Sequence, residues 1–252
     1  DSAAFQYVLA SPHVAFDTTG FDLIQVSGQG RLSKLPIVVP IRVKAARVTG
    51  VGDVAGGILA NLSVEGALRV SDKAAIGDGL KLRSDKLNGT ISLFLDLVSG
   101  RYEVGLQGQL NRYLIPGLGI VDVKSSLTVV PGPNGVGTRV VGRGQAWVRR
   151  FDNAFLAGLA GGLPRIDTRL ERTPDGIIRF TGLRIVAPAL TISGNGYRRL
   201  DGSFHFEGNG TQASYGPVKL VLDGQIDRPK LSLVLARPMP ALGLKDVHVA
   251  LD

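Results

Sequence analysis

The sequence predicts an all-β fold, a long, twisted antiparallel sheet with one or two short helices. Three observations predict it. Apolar residues recur at every second position over most of the chain, which is the period of a half-buried strand. Glycine is abundant, 34 of 252 residues, where a usual share is about 7%. Turn signals built from Gly, Asp, Asn and Pro separate the striped runs, as hairpins require.

The elements follow in order. "GVGDVAGGILANL" (Gly50–Leu62) breaks the alternation and predicts a short helix around Val54–Ala60. Leu62, Val64, Leu68 and Val70 then share a face, with Ser63, Glu65 and Arg69 on the other. Ile91, Leu93, Leu95 and Leu97 form the next stripe, opposite Thr90, Ser92 and Asp96, and Ser99-Gly100 is a turn. Tyr102, Val104, Leu106 and Leu110 alternate with Glu103, Gln107 and Gln109. "NRYLIPGLGIV" (Asn111–Val121) reads as an apolar loop around a Pro-Gly turn. Val121, Val123, Leu127 and Val129 resume the stripe.

"FDNAFLAGLAGG" (Phe151–Gly162) predicts the better helix. Asp152 or Asn153 can cap it, Phe151, Phe155 and Leu159 form its stripe, and paired glycines end it before Pro164. "TPDG" (Thr173–Gly176) and "RRLDG" (Arg198–Gly202) are turn signals. Phe204 and Phe206 alternate with Ser203, His205 and Glu207. Val218, Leu220, Leu222 and Ile226 share one parity, and after a turn at Asp227-Arg228-Pro229 so do Leu231, Leu233 and Leu235. The spacing is uneven, so the repetition is structural and loose.

Composition narrows the function classes. Hydrophobic residues are 44% and charged residues 20%, the mark of a folded chain. The formal charge is +8, and the basic residues are scattered, as at Arg42, Lys44, Arg101, Arg139, Lys219 and Lys230, with no run of five like charges and no interleaved aromatics. This argues for a solvated polar face and against a nucleic-acid partner. No cysteine is present, which removes disulfides, thiolate metal sites and cysteine nucleophiles together. No apolar run is long enough for a transmembrane helix. The chain opens at Asp1-Ser2 and stops within the striped run Val247–Leu251. We therefore expect an internal piece of a longer protein, a single β segment over residues 1–252 with one candidate sub-boundary near 150–165.

Reactive constellations are not marked out. His13, His205 and His248 lie far apart on the polar parity of their strands, with no metal-ligand spacing. Gly50–Ala55 formally fits a dinucleotide fingerprint, with Asp72 near the expected offset. A half-polar strand follows it, however, where the motif needs a crossover helix and a buried parallel strand. Other Gly-x-Gly pairs, in "SGQG", "SGNG", "VGRG" and "EGNG", sit within stripes, where glycine permits bulges, bends and close backbone approach. Nucleophile elbows and phosphate loops are absent. The expectation is no enzyme, no cofactor and no metal.

An apolar sheet face must be hidden. Two sheets can pack, a barrel can close, or one sheet can curl so that its apolar face lines a groove. One tryptophan and five tyrosines make a poor aromatic girdle for a membrane barrel. The inward parity is mostly Leu, Val, Ile and Gly, which suits a smooth aliphatic surface and equally a plain sandwich core.

"LNRYLIPGLGIVDVKSSLTVVPGPNGVGTRVVGRGQAWVRRFDNAFLAGLAGGLP" (Leu110–Pro164) and "GNGYRRLDGSFHFEGNGTQASYGPVKLVLDGQIDRPKLSLVLARP" (Gly194–Pro238) resemble the translocation and assembly module TamB family of AsmA-like envelope proteins. The resemblance implies an inner-membrane anchor outside this segment and a periplasmic sheet curled into an open, taco-like groove or partial barrel. It implies roles in phospholipid transport and outer-membrane protein assembly and secretion in a Gram-negative bacterium. An outer-membrane barrel of the TamA type would meet another part of the chain.

On that implication, the lining for phospholipid acyl chains is Leu93, Leu95, Leu97, Val104, Leu106, Phe204, Phe206, Leu220, Leu222, Leu231, Leu233 and Leu235. Exposing a ~16-carbon chain to water costs roughly 12 kcal/mol, and a continuous aliphatic surface removes that cost without holding the chain at one place. Two alternatives stay open: a scaffold that binds unfolded outer-membrane strands by β-augmentation, and a structural β-sandwich with a closed core.

Overall fold

The structure, a computed structural model, describes residues 3–16, 19–32, 34–50, 57–115, 118–225, 228–236 and 247–251, with the backbone alone for 228, 229 and 247–251. The fold is all-β and antiparallel, with one short α-helix and one 3-10 turn, Pro133–Gly135, as complete helical elements among the described residues. The chain divides into two compact units. Unit 1 comprises Asp1–Leu110 and Ser125–Val141, and unit 2 comprises Asn111–Lys124 and Gly142–Asp252.

Unit 1 contains β1 (Ala4–Phe16), β2 (Thr19–Arg31), β3 (Ile37–Ala45), β4 (Arg47–Thr49), β5 (Leu62–Val70), β6 (Ala74–Arg83), β7 (Leu87–Asp96) and the first part of β8 (Tyr102–Ile115). β2 pairs with β1, β3 and β4, and β3 pairs in turn with β5. From β5 the chain meanders through β6 and β7 to β8. Val64, Leu80, Leu82 and Leu87 form the buried core of one sheet face, and Ile58 and Leu59 pack against it from the segment before β5.

β9 (Gly119–Pro131) and β10 (Thr138–Phe151) contribute residues to both units. Unit 2 continues with helix α1 (Ala154–Ala160), β11 (Arg165–Arg172), β12 (Ile178–Val186), β13 (Leu190–Arg198), β14 (Phe204–Gln212), β15 (Gly216–Gln225), β16 (Arg228–Leu235) and β17 (Val247–Leu251). Each strand from β11 to β17 pairs antiparallel with the next. Their apolar parity converges on one core of Leu190, Ile192, Phe206, Val218, Leu220, Leu231, Leu233 and Leu235, closed at one end by Leu159 of α1.

The two units share a plan. In each, a helical turn precedes an antiparallel meander, and its last carbonyl accepts from the hairpin joining the second and third strands of that meander. Asp85 N–H donates to the Ala60 carbonyl at 3.1 Å, and Ala189 N–H to that of Ala160 at 2.9 Å. The second strand of each meander carries a bulge beside a left-handed glycine, Gly79 (φ +63°) in β6 and Gly182 (φ +58°) in β12. This is the loose repetition that the spacing suggested.

Four local expectations change. Asn111–Val121 is not a loop: β8 runs to Ile115 and β9 begins at Gly119, with Arg112 N–H held by the Asp122 carboxylate at 2.7 Å. Pro116 and Gly117 lie outside the described residues. Arg228 and Pro229 belong to β16, opposite Gln225 and Gly224, so they are strand and not turn, while Ile226 and Asp227 lie outside the described residues. Helix α1 is capped by Asn153, whose side chain accepts from Leu156 N–H, and Gly161 ends it at φ +65°. Its buried stripe is Leu156, Leu159 and Ala160, because the cap fixes the helical phase, while Phe155 faces solvent and Phe151 ends β10. Of the earlier expected helix, Gly57 and Ile58 are helical and Leu59–Asn61 form a turn, and residues 51–56 lie outside the described residues. The strand that follows, β5, is antiparallel to both neighbours, which leaves no parallel crossover for a dinucleotide.

Candidate functional site

The candidate site is the apolar face of each unit. In unit 2 the register places Phe206 opposite Leu222, Leu222 opposite Leu231, Leu220 opposite Leu233 and Val218 opposite Leu235. Cross-strand partners point to the same side of a sheet, so these side chains form adjoining rows on one face. Helix α1 closes one end of it. Gln212, 5% exposed, ties the helix down: its amide nitrogen donates to the Leu159 carbonyl, and its oxygen accepts from Ser214 and Tyr215 N–H.

Glycines interrupt this face. Gly194 and Gly196 of β13 have the parity of Ile192, and Gly208 and Gly210 of β14 that of Phe206. A Cβ on Gly194 would meet the Glu207 carbonyl oxygen at 2.1 Å, and one on Gly210 the Thr191 carbonyl oxygen at 1.8 Å. At the "SGNG" and "EGNG" pairs the two strands therefore approach too closely for side chains at Gly194, Gly196 and Gly210. That is the close approach expected of them. Gly89 of β7 sits in the same relation to the Gln107 carbonyl oxygen, 2.2 Å from a built Cβ, in unit 1.

Burial falls with distance from α1. Leu233 is fully buried, and Phe206, Leu220, Leu231 and Leu235 are nearly so. Leu222 and Phe204, further out, are half-buried. In unit 1, Leu93 opposes Val104 and Leu95 opposes Tyr102, while Leu106 opposes Ile91, and all four named lining residues are half-buried. Leu97 lies outside β7. The Asp96 carboxylate accepts from Val98 and Ser99 N–H and starts the turn there, leaving Leu97 exposed. Leu93, Leu95, Val104 and Leu106 thus lie on a strand face of unit 1, and the seven unit 2 residues on a strand face of unit 2.

Arg198 is the residue that turn-based reading missed. It ends β13 on the parity of Ile192, between Ile178 and Phe204, so it stands on the apolar face at the end away from α1. Its Nε is buried without a hydrogen-bond partner. Counting Ile192, Gly194, Gly196, Arg198 along the stripe would have placed it, but the "RRLDG" signal drew both arginines into the turn. Only Arg199 belongs there, its N–H donating to the Ser203 carbonyl.

The opposite face is polar and internally paired. His205 Nδ1 lies 2.6 Å from Asp223 Oδ1 and its ring stacks on Tyr197, and the Arg199 guanidinium lies over the Tyr197 ring. His13 and Asp22 make a similar cross-strand pair at 2.7 Å in unit 1. Each imidazole is hydrogen-bonded to an aspartate, and the side chain of His248 lies outside the described residues. Lys219 pairs with Glu207 at 2.7 Å, and Lys124 and Arg165 each approach the Trp147 ring. The carboxylates here are held below their usual range: Asp122 by Arg112 N–H and then Arg149, Asp175 by the Thr173 hydroxyl, Asp201 by Ser203, and Glu207 by Lys219. Hydrogen bonds to the charged form cause each shift. Among the described residues no three metal-ligating side chains gather.

No helix among the described residues is long and apolar enough to cross a membrane, which leaves strand-built spans untouched. Comparison with family models, curated proteins and solved structures found no match to this chain.

Proposed function

We propose that this chain is an internal periplasmic segment of a TamB-like, inner-membrane-anchored bridge, and that it carries phospholipid along its apolar sheet faces. In that role it supports outer-membrane protein assembly and secretion, with a TamA-type barrel meeting another part of the protein. It needs no cofactor and performs no catalysis. The phrases Leu110–Pro164 and Gly194–Pro238 carry the resemblance to that family, and one structural observation supports the chemistry. Leu222 and Phe204 remain half-buried on an aliphatic face whose other side carries the charges. Leucine and phenylalanine contacts are non-directional, so an acyl chain moves along them without breaking specific bonds.

A second reading also has an observation behind it. Phe206, Leu220, Leu231, Leu233 and Leu235 are buried, as the core of a purely structural sheet would be. Photo-crosslinkers at Leu222, Phe204, Leu93 and Val104, compared with Lys219 and Lys230 in cells, separate the two. Lipid adducts confined to the first group support transport. Equal labelling of both groups, or none, leaves the structural reading.

A further inference from the structure

We propose that Arg198 holds the anionic head of a phospholipid whose acyl chain lies on the unit 2 apolar face, pointing toward α1. This deepens the transport reading and rests on it.

Arginine on an apolar face is costly unless something pairs with it. Arg198 has Ile178 and Phe204 as cross-strand neighbours, and its Nε is buried and unsatisfied. Its side chain makes no hydrogen bond or ion pair among the described residues, and its terminal nitrogen lies near Gly202, where the Gln225 carboxamide also reaches. The nearby carboxylates are committed elsewhere. Asp201 accepts from Ser203, Asp223 meets His205, Asp175 takes Thr173 and Arg179, and Glu207 takes Lys219. An anion from outside the chain is the missing partner.

The surroundings select an amphiphile over a free anion. The row next to Arg198 holds Phe206, Leu222 and Leu231, which offer nothing to a second polar group. The opposite end is shut by Leu156 and Leu159 of α1. A ligand with one charged end and one greasy end therefore fits in one direction only. A guanidinium fork matches two oxygens of a phosphate.

The test measures binding of lysophosphatidylglycerol, of a monoacylglycerol with the same chain, and of inorganic phosphate to the 252-residue chain and to Arg198→Gln. The unaltered chain is expected to bind the phospholipid about tenfold more tightly than the neutral lipid. Arg198→Gln should lose that difference, keep its affinity for the neutral lipid, and melt no lower than the parent, since a buried unsatisfied group has been reduced. If Arg198→Gln keeps the preference for the phospholipid, the head assignment is wrong while the apolar face stands. If inorganic phosphate binds as tightly as the phospholipid, the site is a simple anion site and the amphiphile is wrong. If neither lipid binds, both this proposal and the transport reading for unit 2 fall.

Discussion

Gly194 and Gly208 stand opposite each other in the β13–β14 ladder, and neither position has room for a Cβ. A methyl on Gly194 would press on backbone, which cannot swing aside as a flexible side chain does. Gly194→Ala is expected to destabilise the chain by about 1–3 kcal/mol. Urea unfolding measures this, and an unchanged midpoint would mean that the two strands are not held so close.

Gly158 gives the opposite sign. It lies exposed inside α1 and a Cβ there meets nothing within 4 Å. Gly158→Ala should stabilise by about 0.5–1 kcal/mol, because alanine loses less backbone freedom in a helix. A lowered melting temperature would contradict the helix assignment.

Gln212→Leu should cost at least about 2 kcal/mol, since it strips the Leu159 carbonyl and two backbone N–H groups of their partner at once. Hydrogen exchange at α1 should rise more than exchange in β5–β7, because the glutamine is what pins the helix to the sheet. Uniform loosening of both units would argue against that local role.

Leu233→Ala should cost about 2–5 kcal/mol, the range for emptying a fully buried leucine site. A loss under 1 kcal/mol would show that the face around Leu233 is open to water in solution.

Stability should also depend on acid. Asp122, Asp175, Asp201 and Glu207 release their protons more readily folded than unfolded. Their contribution is complete above the unfolded carboxyl values, near pH ~4, and is lost as pH falls through the folded ones. The urea midpoint should therefore be flat from neutral pH to about 5 and fall below about 4. Asp175→Asn should soften that fall, and an identical acid profile would remove Asp175 from the account.

Much of this could be read from the residues because a strand's period is two and its register is unforgiving. The stripe of Leu231, Leu233 and Leu235 already states which side of β16 is buried. Helical phase was harder to read. Phe155 and Leu156 are both apolar, and only the Asn153 cap decides which of them faces inward. Composition misled at Asn111–Val121, where Pro and Gly lie at the hairpin and the flanking residues are ordinary strand. Arg198 was hidden because its neighbour Arg199 does belong to a turn, so two adjacent identical residues take opposite roles. How far the apolar face is covered depends on three-dimensional closure, which parity does not encode.

The shared plan of the two units has a practical consequence. Gly79 and Gly182 are matched positions, each left-handed with open space around a built Cβ, as are the Ala60 and Ala160 carbonyls. A substitution made in one unit therefore has a twin in the other, carried by the same molecule under the same solvent. Each unit serves as the internal control for its counterpart. A difference between twins then reports what the surroundings add, separated from what the local backbone requires.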